Sequence, residues 1–419
     1  MLNRNQAPLL QQVRHINFVA PESHPITPTV NLFHMAEVPD ETCRIDFYFD
    51  AGKMRGDAGI AGFVNGLLLS GTPSLSSVEI HESIDSLGGF YDAGVALENA
   101  VVSMYCLREY AVQLFDIVLT SIRDVSFDEK EVTEFIAEKR QKWTINMEKV
   151  SFLAQREFQR SILSSDERYA NITEASDFDE VTSDDLREFH KRHYSKGLTK
   201  VVIVGNLPAA AIEHFVQSSK ELACEKEHPF ARNFQNRLGT FVYEKEGAMQ
   251  TAIRVGRILF NKNHTDYLDF LILQTILGDY FGSRLMSNIR EDKGYTYGIG
   301  TMLAEIRESG YFMIATEVRK DVRDATLQEI RFECERLQNE LIGEEELDLV
   351  QNYMRGQLLK SADGPFAMTD LFLSAELHGQ GLEFYNRALE SIYTINAERI
   401  QQLAKKYLRW EDMTVVACG

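Results

Sequence analysis

Residues 181–205 read VTSDDLREFHKRHYSKGLTKVVIVG, and residues 394–419 read TINAERIQQLAKKYLRWEDMTVVACG. In the first stretch, Thr182 and Asp185 have the spacing of a capping box at the head of a helix, and KVVIVG has the short apolar run of a buried strand. Tyr194 matches Tyr407 and VVIVG matches VVACG, at an offset close to half the chain. A second pair of anchors has nearly the same offset: FDEKEV at 127–132 corresponds to IGEEEL at 342–347, each opening a long helix. Agreement between two independent anchors predicts a duplicated unit. The expected organisation is a half at 1–222, a linker at 223–234 and a second half at 235–419, the polar CEKEHPFARNFQN lying at the junction.

Working outward from these ends, each half has the same order of elements. In the first, CRIDFYF (43–49) alternates as a strand, and 75–88 forms a helix with Val78, Ile84 and Leu87 inward. Strands follow in GGFYDAGVAL and AVVSMYCL, then long helices near 109–123 and 128–147. In the second, the strand TAIRVGRILF leads into one long helix over 266–290, then the strands YTYGIGTML and GYFMIATEV. Short loops between successive strands favour antiparallel sheets with helices on one face over alternating βαβ units. The fold class is therefore α+β: two homologous halves, each a mostly antiparallel sheet packed with helices.

The totals narrow the function. A chain of 419 residues exceeds one compact core, and 26% charged residues with 44% hydrophobic ones is ordinary globular composition. The net charge of −19 argues against a nucleic-acid partner and is compatible with basic peptides. The opening MLNRNQAPLLQQVRH has no signal-peptide pattern, and no apolar run approaches a membrane span, so the expectation is a cytoplasmic protein with no membrane partner. Cys43, Cys106, Cys224, Cys334 and Cys418 are scattered singly and read as reduced thiols.

Two stretches stand out for chemistry. GIAGFVNGLLLSGT (59–72) forms a helix after the first strand, capped by Asp57, with Ile60, Phe63, Val64, Leu67 and Leu68 in one apolar stripe. Its other face carries Gly59, Gly62, Asn65 and Gly66, and glycine inside a helix costs about 1 kcal/mol relative to alanine. The second stretch is GDYFGSRLMSNIREDKGYTYGIG (278–300), where Arg290 ends a helix and Tyr297 follows on a strand, with Tyr295 directed to the same face. An arginine fork and a phenol in one cleft could hold a peptide carbonyl or a developing oxyanion. The alternative is that Arg290 pairs with Glu291 or Asp292 and the tyrosines are half-buried strand residues. Elsewhere His190 and His193 in EFHKRHY read as a solvated helix end rather than a zinc pair, and HESID (81–85) as surface. Neither a P-loop, a dinucleotide fingerprint nor a nucleophile elbow is present.

With GIAGFVNGLLLSGT, the two VVxxG ends and GSRLMSNIREDKGYTYGI together, the chain resembles the pitrilysin/insulinase family of zinc peptidases over essentially its whole length. The resemblance is to the small-subunit branch that includes mitochondrial processing peptidase, and within it to the subunit without the zinc motif. It implies the metallopeptidase fold shared by LuxS and the processing peptidases. Active members carry H-x-x-E-H on the first helix, and the aligned positions here are Gly62, Asn65 and Gly66. Glycine has no ligand atom, and asparagine cannot act as a general base. The distal metal ligand would fall near Gln141 and Lys142, with Glu138 close by. The resemblance also places Arg290 and Tyr297 at the positions that contact bound peptide near the scissile bond. It implies a chain that binds no metal and is inactive alone. Such a chain would form a heterodimer with a homologous subunit bearing the zinc motif and act on extended peptide substrates. The alternative is a structural or peptide-binding homologue without a proteolytic role.

Overall fold

The computed structural model describes residues 13–39, 41–57, 59–225 and 229–419. The opening segment through residue 12, on which the reading of the N-terminus rests, and residues 226–228 of the linker lie outside the described residues. In chain order the first part contains the strands β1 (Glu22–Pro25), β2 (Asn31–Met35) and β3 (Thr42–Phe49), then helices α1 (Ile60–Leu67) and α2 (Ser77–Ser86). The hairpin β4 (Phe90–Val95) and β5 (Ala100–Leu107) follows, then α3 (Ala111–Arg123), α4 (Glu129–Met147) and α5 (Val150–Ile162). Two single turns, α6 (Glu167–Ala170) and α7 (Asp177–Glu180), precede α8 (Ser183–His193), β6 (Leu198–Val204) and α9 (Ala209–Ser219).

The second part has strands β7 (Gly239–Tyr243) and β8 (Gln250–Leu259), helix α10 (Tyr267–Gly278) and a π-helical segment at Met286–Asp292. The strands β9 (Thr296–Ile306) and β10 (Ser309–Arg319) come next. They are followed by α11 (Arg323–Asn339), α12 (Glu344–Ser361), α13 (Gly364–Glu376), α14 (Glu383–Thr394), α15 (Ala397–Tyr407) and β11 (Thr414–Cys418). The single helix expected over 266–290 is thus broken after Gly278, where GDYFGS leaves the helix before the chain coils again.

Among the described residues the strands form two sheets, ordered β1-β2-β6-β3-β5-β4 and β7-β11-β8-β10-β9. The repeat ends occupy equivalent places. β6 runs parallel to β2 and antiparallel to β3, while β11 runs parallel to β7 and antiparallel to β8. The matched tyrosines are equivalent too: Tyr194 Oη is bonded to Asn65 on α1, and Tyr407 Oη donates to Asp266 at the head of α10 (2.5 Å). In each half a phenol at the end of the helix before the repeat strand, β6 or β11, ties down the helix that follows β3 or β8.

One face of each sheet packs on helices of its own half, giving large apolar cores around Phe47, Phe115 and Val201 in the first and Phe270, Phe312 and Val415 in the second. The other face is covered by a helix from the opposite half, which "helices on one face" did not anticipate. α5 lies across β8 and β11, burying Ala154, Phe158 and Ile162 against Ala252, Met313 and Val416. Phe158 lies so close to β8 that a Cβ at Gly256 would sit 2.8 Å from its ring. Reciprocally, α13 lies on the first sheet, with the Phe372 and Phe33 rings 5.1 Å apart and Asp370 2.7 Å from Arg44.

The hairpin tips are also joined. Buried Glu98, beyond β4, accepts from Tyr169 Oη (2.8 Å) and from the Arg307 backbone N–H (2.7 Å) beyond β9. Within the first half, Val78 is exposed rather than inward. The capping box of Ser76 and Glu79 sets the phase of α2 so that Ile80 and Ile84 face the core. Among the described residues, no helix is long and apolar enough to cross a membrane.

Candidate functional site

α1 begins differently from its expected cap. Gly59, at φ 90°, occupies the N-cap position without a side-chain bond, and Asp57 contributes only its carbonyl, to Ile60 N–H at 3.3 Å. That left-handed backbone explains the glycine. The apolar stripe forms as expected, with Phe63, Val64, Leu67 and Leu68 buried. The remaining face is not a metal cradle. Asn65 is 3% exposed and donates from Nδ2 to Tyr194 Oη at 3.1 Å, so it is part of the core. Gly62 faces open space, whereas a Cβ on Gly66 would lie 2.4 Å from the Phe135 ring of α4.

α4 is the helix on which the distal ligand was expected, and it presents that aromatic ring to Gly66. The Lys139 ammonium lies 4.8 Å from the centre of the same ring, and Glu138 pairs with Lys142 on the exposed side. Zinc does not fit this set: the motif positions offer two glycines and a committed amide, and an apolar ring stands against one of them. Among the described residues, no three His, Cys, Asp or Glu side chains are grouped to hold a metal ion. Phe135 was not legible in advance because its relation to Gly66 is purely tertiary.

His190 and His193 are buried, not solvated. His190 Nε2 donates to the Ile122 carbonyl (2.7 Å) and His193 Nδ1 to that of Asp50 (2.9 Å). Burial holds the His190 pKa below its ordinary value. Both imidazoles are structural hydrogen-bond donors.

The second stretch folds into a more open arrangement. The π-helical segment buries Met286 and Ile289, and Lys293 N–H closes an i to i+5 bond on the Asn288 carbonyl at 3.1 Å. Gly294, at φ 64°, then turns the chain into β9. Arg290 makes no ion pair with Glu291 or Asp292 among the described residues. Its guanidinium lies 4.6 Å from the centre of the Phe281 ring, itself 62% exposed. Tyr297 is 94% exposed on β9, an edge strand of its sheet. Tyr295, expected on the same face, packs against the core instead. An uncommitted guanidinium backed by an aromatic ring and an exposed phenol on a sheet edge are thus carried within eight residues of one another in a single loop-connected unit. Phe281 was missed in the sequence because its role depends on the break after Gly278.

Comparison with known proteins gives these features a family. Residues 34–164 match the profile of insulinase (peptidase family M16), and residues 180–354 match that of the peptidase M16 inactive domain. The chain is 23% identical to an uncharacterized zinc protease of Bacillus subtilis over 83% of its length and 85% of that protein's. It is 21% identical to the zinc protease PqqE of Helicobacter pylori over 89% and 86%. A crystal structure of a peptidase M16 inactive domain from Pseudomonas fluorescens superposes with a TM-score of 0.84 at 19% identity, covering 96% of this chain and 98% of that one. A protease structure from Helicobacter pylori gives 0.81 at 16% identity, with 96% and 100% coverage. From both halves of its sequence and from its fold, the chain belongs to the M16 family of peptidases, the insulinase or pitrilysin family.

Proposed function

We propose that this chain is the zinc-free subunit of a two-subunit endopeptidase, binding peptide and completing the active site of a homologous partner that carries the H-x-x-E-H motif. The observation that carries the reading is the contrast between the two stretches. On α1 the Phe135 ring stands against Gly66, while the half-buried Arg290 keeps its guanidinium over Phe281 with no ion pair among the described residues and Tyr297 is exposed. A structural homologue gains nothing by leaving an arginine without a carboxylate and, seven residues on, a phenol that is 94% exposed.

In this role Arg290 donates to a peptide carbonyl through its fork, and Tyr297 adds a neutral hydroxyl donor. Both strengthen as negative charge develops on that oxygen. The edge position of β9 leaves backbone donors and acceptors for an extended peptide to join as an added strand. The metal and the base come from the partner, and the acidic surface suits peptides with basic residues.

The test is reconstitution with a zinc-motif-bearing homologue from the same genome. The pair should cleave unstructured peptides, and the isolated chain should neither cleave them nor carry stoichiometric zinc. Arg290→Ala in the pair should lower kcat/KM by about 10- to 100-fold, the worth of one hydrogen bond to a charged group. Chelator-sensitive cleavage by the chain alone would overturn the assignment. Full activity of the Arg290→Ala pair would leave the alternative, a peptide-binding or structural subunit.

A further inference from the structure

The segment that carries Arg290 is gripped from behind by carboxylates of α11 and α12. Arg284 makes a two-pronged pair with Glu346, both contacts at 2.9 Å. Asn288 Nδ2 donates to Glu329 Oε2 (3.1 Å) and to Glu333 Oε1 (2.7 Å), and Lys293 Nζ lies 3.2 Å from Glu329 Oε1. Glu333 is 1% exposed, and Arg336 Nη1 sits 3.1 Å from each of its oxygens. A carboxylate at that depth is tolerated only when its oxygens are bonded. It is fixed in place by α11, whose Ile330, Cys334 and Leu337 belong to the second core.

Geometry connects this grip to the guanidinium. A π-helical turn is a rare, locally unfavourable conformation that closes in about five residues. Asn288 and Lys293 therefore lie on one side of it, and Arg290 lies nearly half a turn away, toward Phe281. Released from α11, the segment would relax toward ordinary α-helical winding, and every residue after Asn288 would rotate. We infer that Glu329 and Glu333 are positioning residues that set the direction in which Arg290 points. This rests on the reading that Arg290 meets the peptide, and the experiment below separates the two.

Hydrogen exchange is measured by mass spectrometry on the isolated full chain and on Glu333→Gln, Glu333→Ala and the double variant Glu329→Gln/Glu333→Gln. Asn288→Asp, which sets a third carboxylate against the first two, is a further variant that leaves α11 untouched. Exchange across 286–295 should accelerate at least threefold in Glu333→Ala, in the double variant and in Asn288→Asp, while β8 exchanges as before. Glu333→Gln, which keeps an acceptor for Asn288, should fall nearer the wild type. Binding of a fluorescein-labelled casein digest, read by anisotropy, should weaken in the same order.

Unchanged exchange over 286–295, or acceleration spread evenly over the chain, overturns the positioning role. If 286–295 loosens as expected while Arg290→Ala binds the digest like the wild type, the positioning role stands and the peptide role of Arg290 falls. If Arg290→Ala loses binding while the Glu329 and Glu333 variants change neither exchange nor affinity, the positioning role falls and the peptide role stands.

Discussion

Gly62 and Gly66 stand where the resemblance places the two histidines of the family motif, yet the structure gives them opposite responses to the same substitution. At Gly62 an added Cβ meets nothing within 4 Å. Gly62→Ala should therefore gain up to about 1 kcal/mol of helix propensity in α1. At Gly66 the same methyl would stand 3.0 Å from Phe135 Cε2 and only 2.4 Å from Cζ, the latter inside any allowed contact. The helix gain is then set against overpacking that costs about 1–3 kcal/mol. Gly66→Ala should come out between neutral and about 2 kcal/mol destabilising.

Replacing the ring by a smaller side chain isolates the cause. In a Phe135→Leu background, Gly66→Ala should recover its helix gain, so a double-mutant cycle should return a coupling of about 1–3 kcal/mol between positions 66 and 135. Urea unfolding followed by circular dichroism on the four proteins of the cycle and on Gly62→Ala supplies every term. Equal stabilisation by Gly62→Ala and Gly66→Ala, with no coupling to Phe135, would refute the conclusion that the Phe135 ring closes this helix face at Gly66.

Three further outcomes follow from named contacts. Asn65→Ala strips buried Tyr194 Oη of its partner and should destabilise by about 1–3 kcal/mol in the same urea titration; a loss well under that range would mean Asn65 is not a core residue. Asp266 combines burial, which raises its pKa, with stronger opposing bonds from Lys406, Tyr407 and Arg399 that leave it well below the carboxylate range. Its contribution is thus fully present above the unfolded-state value of about 4 and is lost as pH falls toward the depressed folded one. The stability gap between wild type and Asp266→Asn should accordingly be widest above about pH 5 and should shrink under acid, and a gap that widens on acidification would contradict this. Tyr297→Phe should change unfolding stability by less than about 0.5 kcal/mol, because the phenol is exposed, while weakening peptide cleavage by the reconstituted pair about two- to tenfold. A stability loss without a change in cleavage would make Tyr297 structural.

The sequence by itself determined the duplicated α+β architecture, because the period of apolar residues and the repeated strand ends are local properties that survive in the folded chain. It also fixed the atoms available at Gly62, Asn65 and Gly66: no ligand atom on either glycine and a neutral amide between them, whatever surrounds them. Tertiary structure alone decided where the buried faces go. The apolar stripe of α5 announces burial but not that the sheet it covers belongs to the other half, and His190 and His193 become core donors only because the carbonyls of Ile122 and Asp50 come within reach. Phe135 over Gly66, Phe281 under Arg290 and the grip of Glu329 and Glu333 on Asn288 all join residues from separate elements. No periodicity encodes such contacts, because each depends on how separate segments are set against one another. Arg290, Tyr297 and the glycine face of α1 were therefore legible as residues, while Phe135, Phe281, Glu329 and Glu333 entered only through packing.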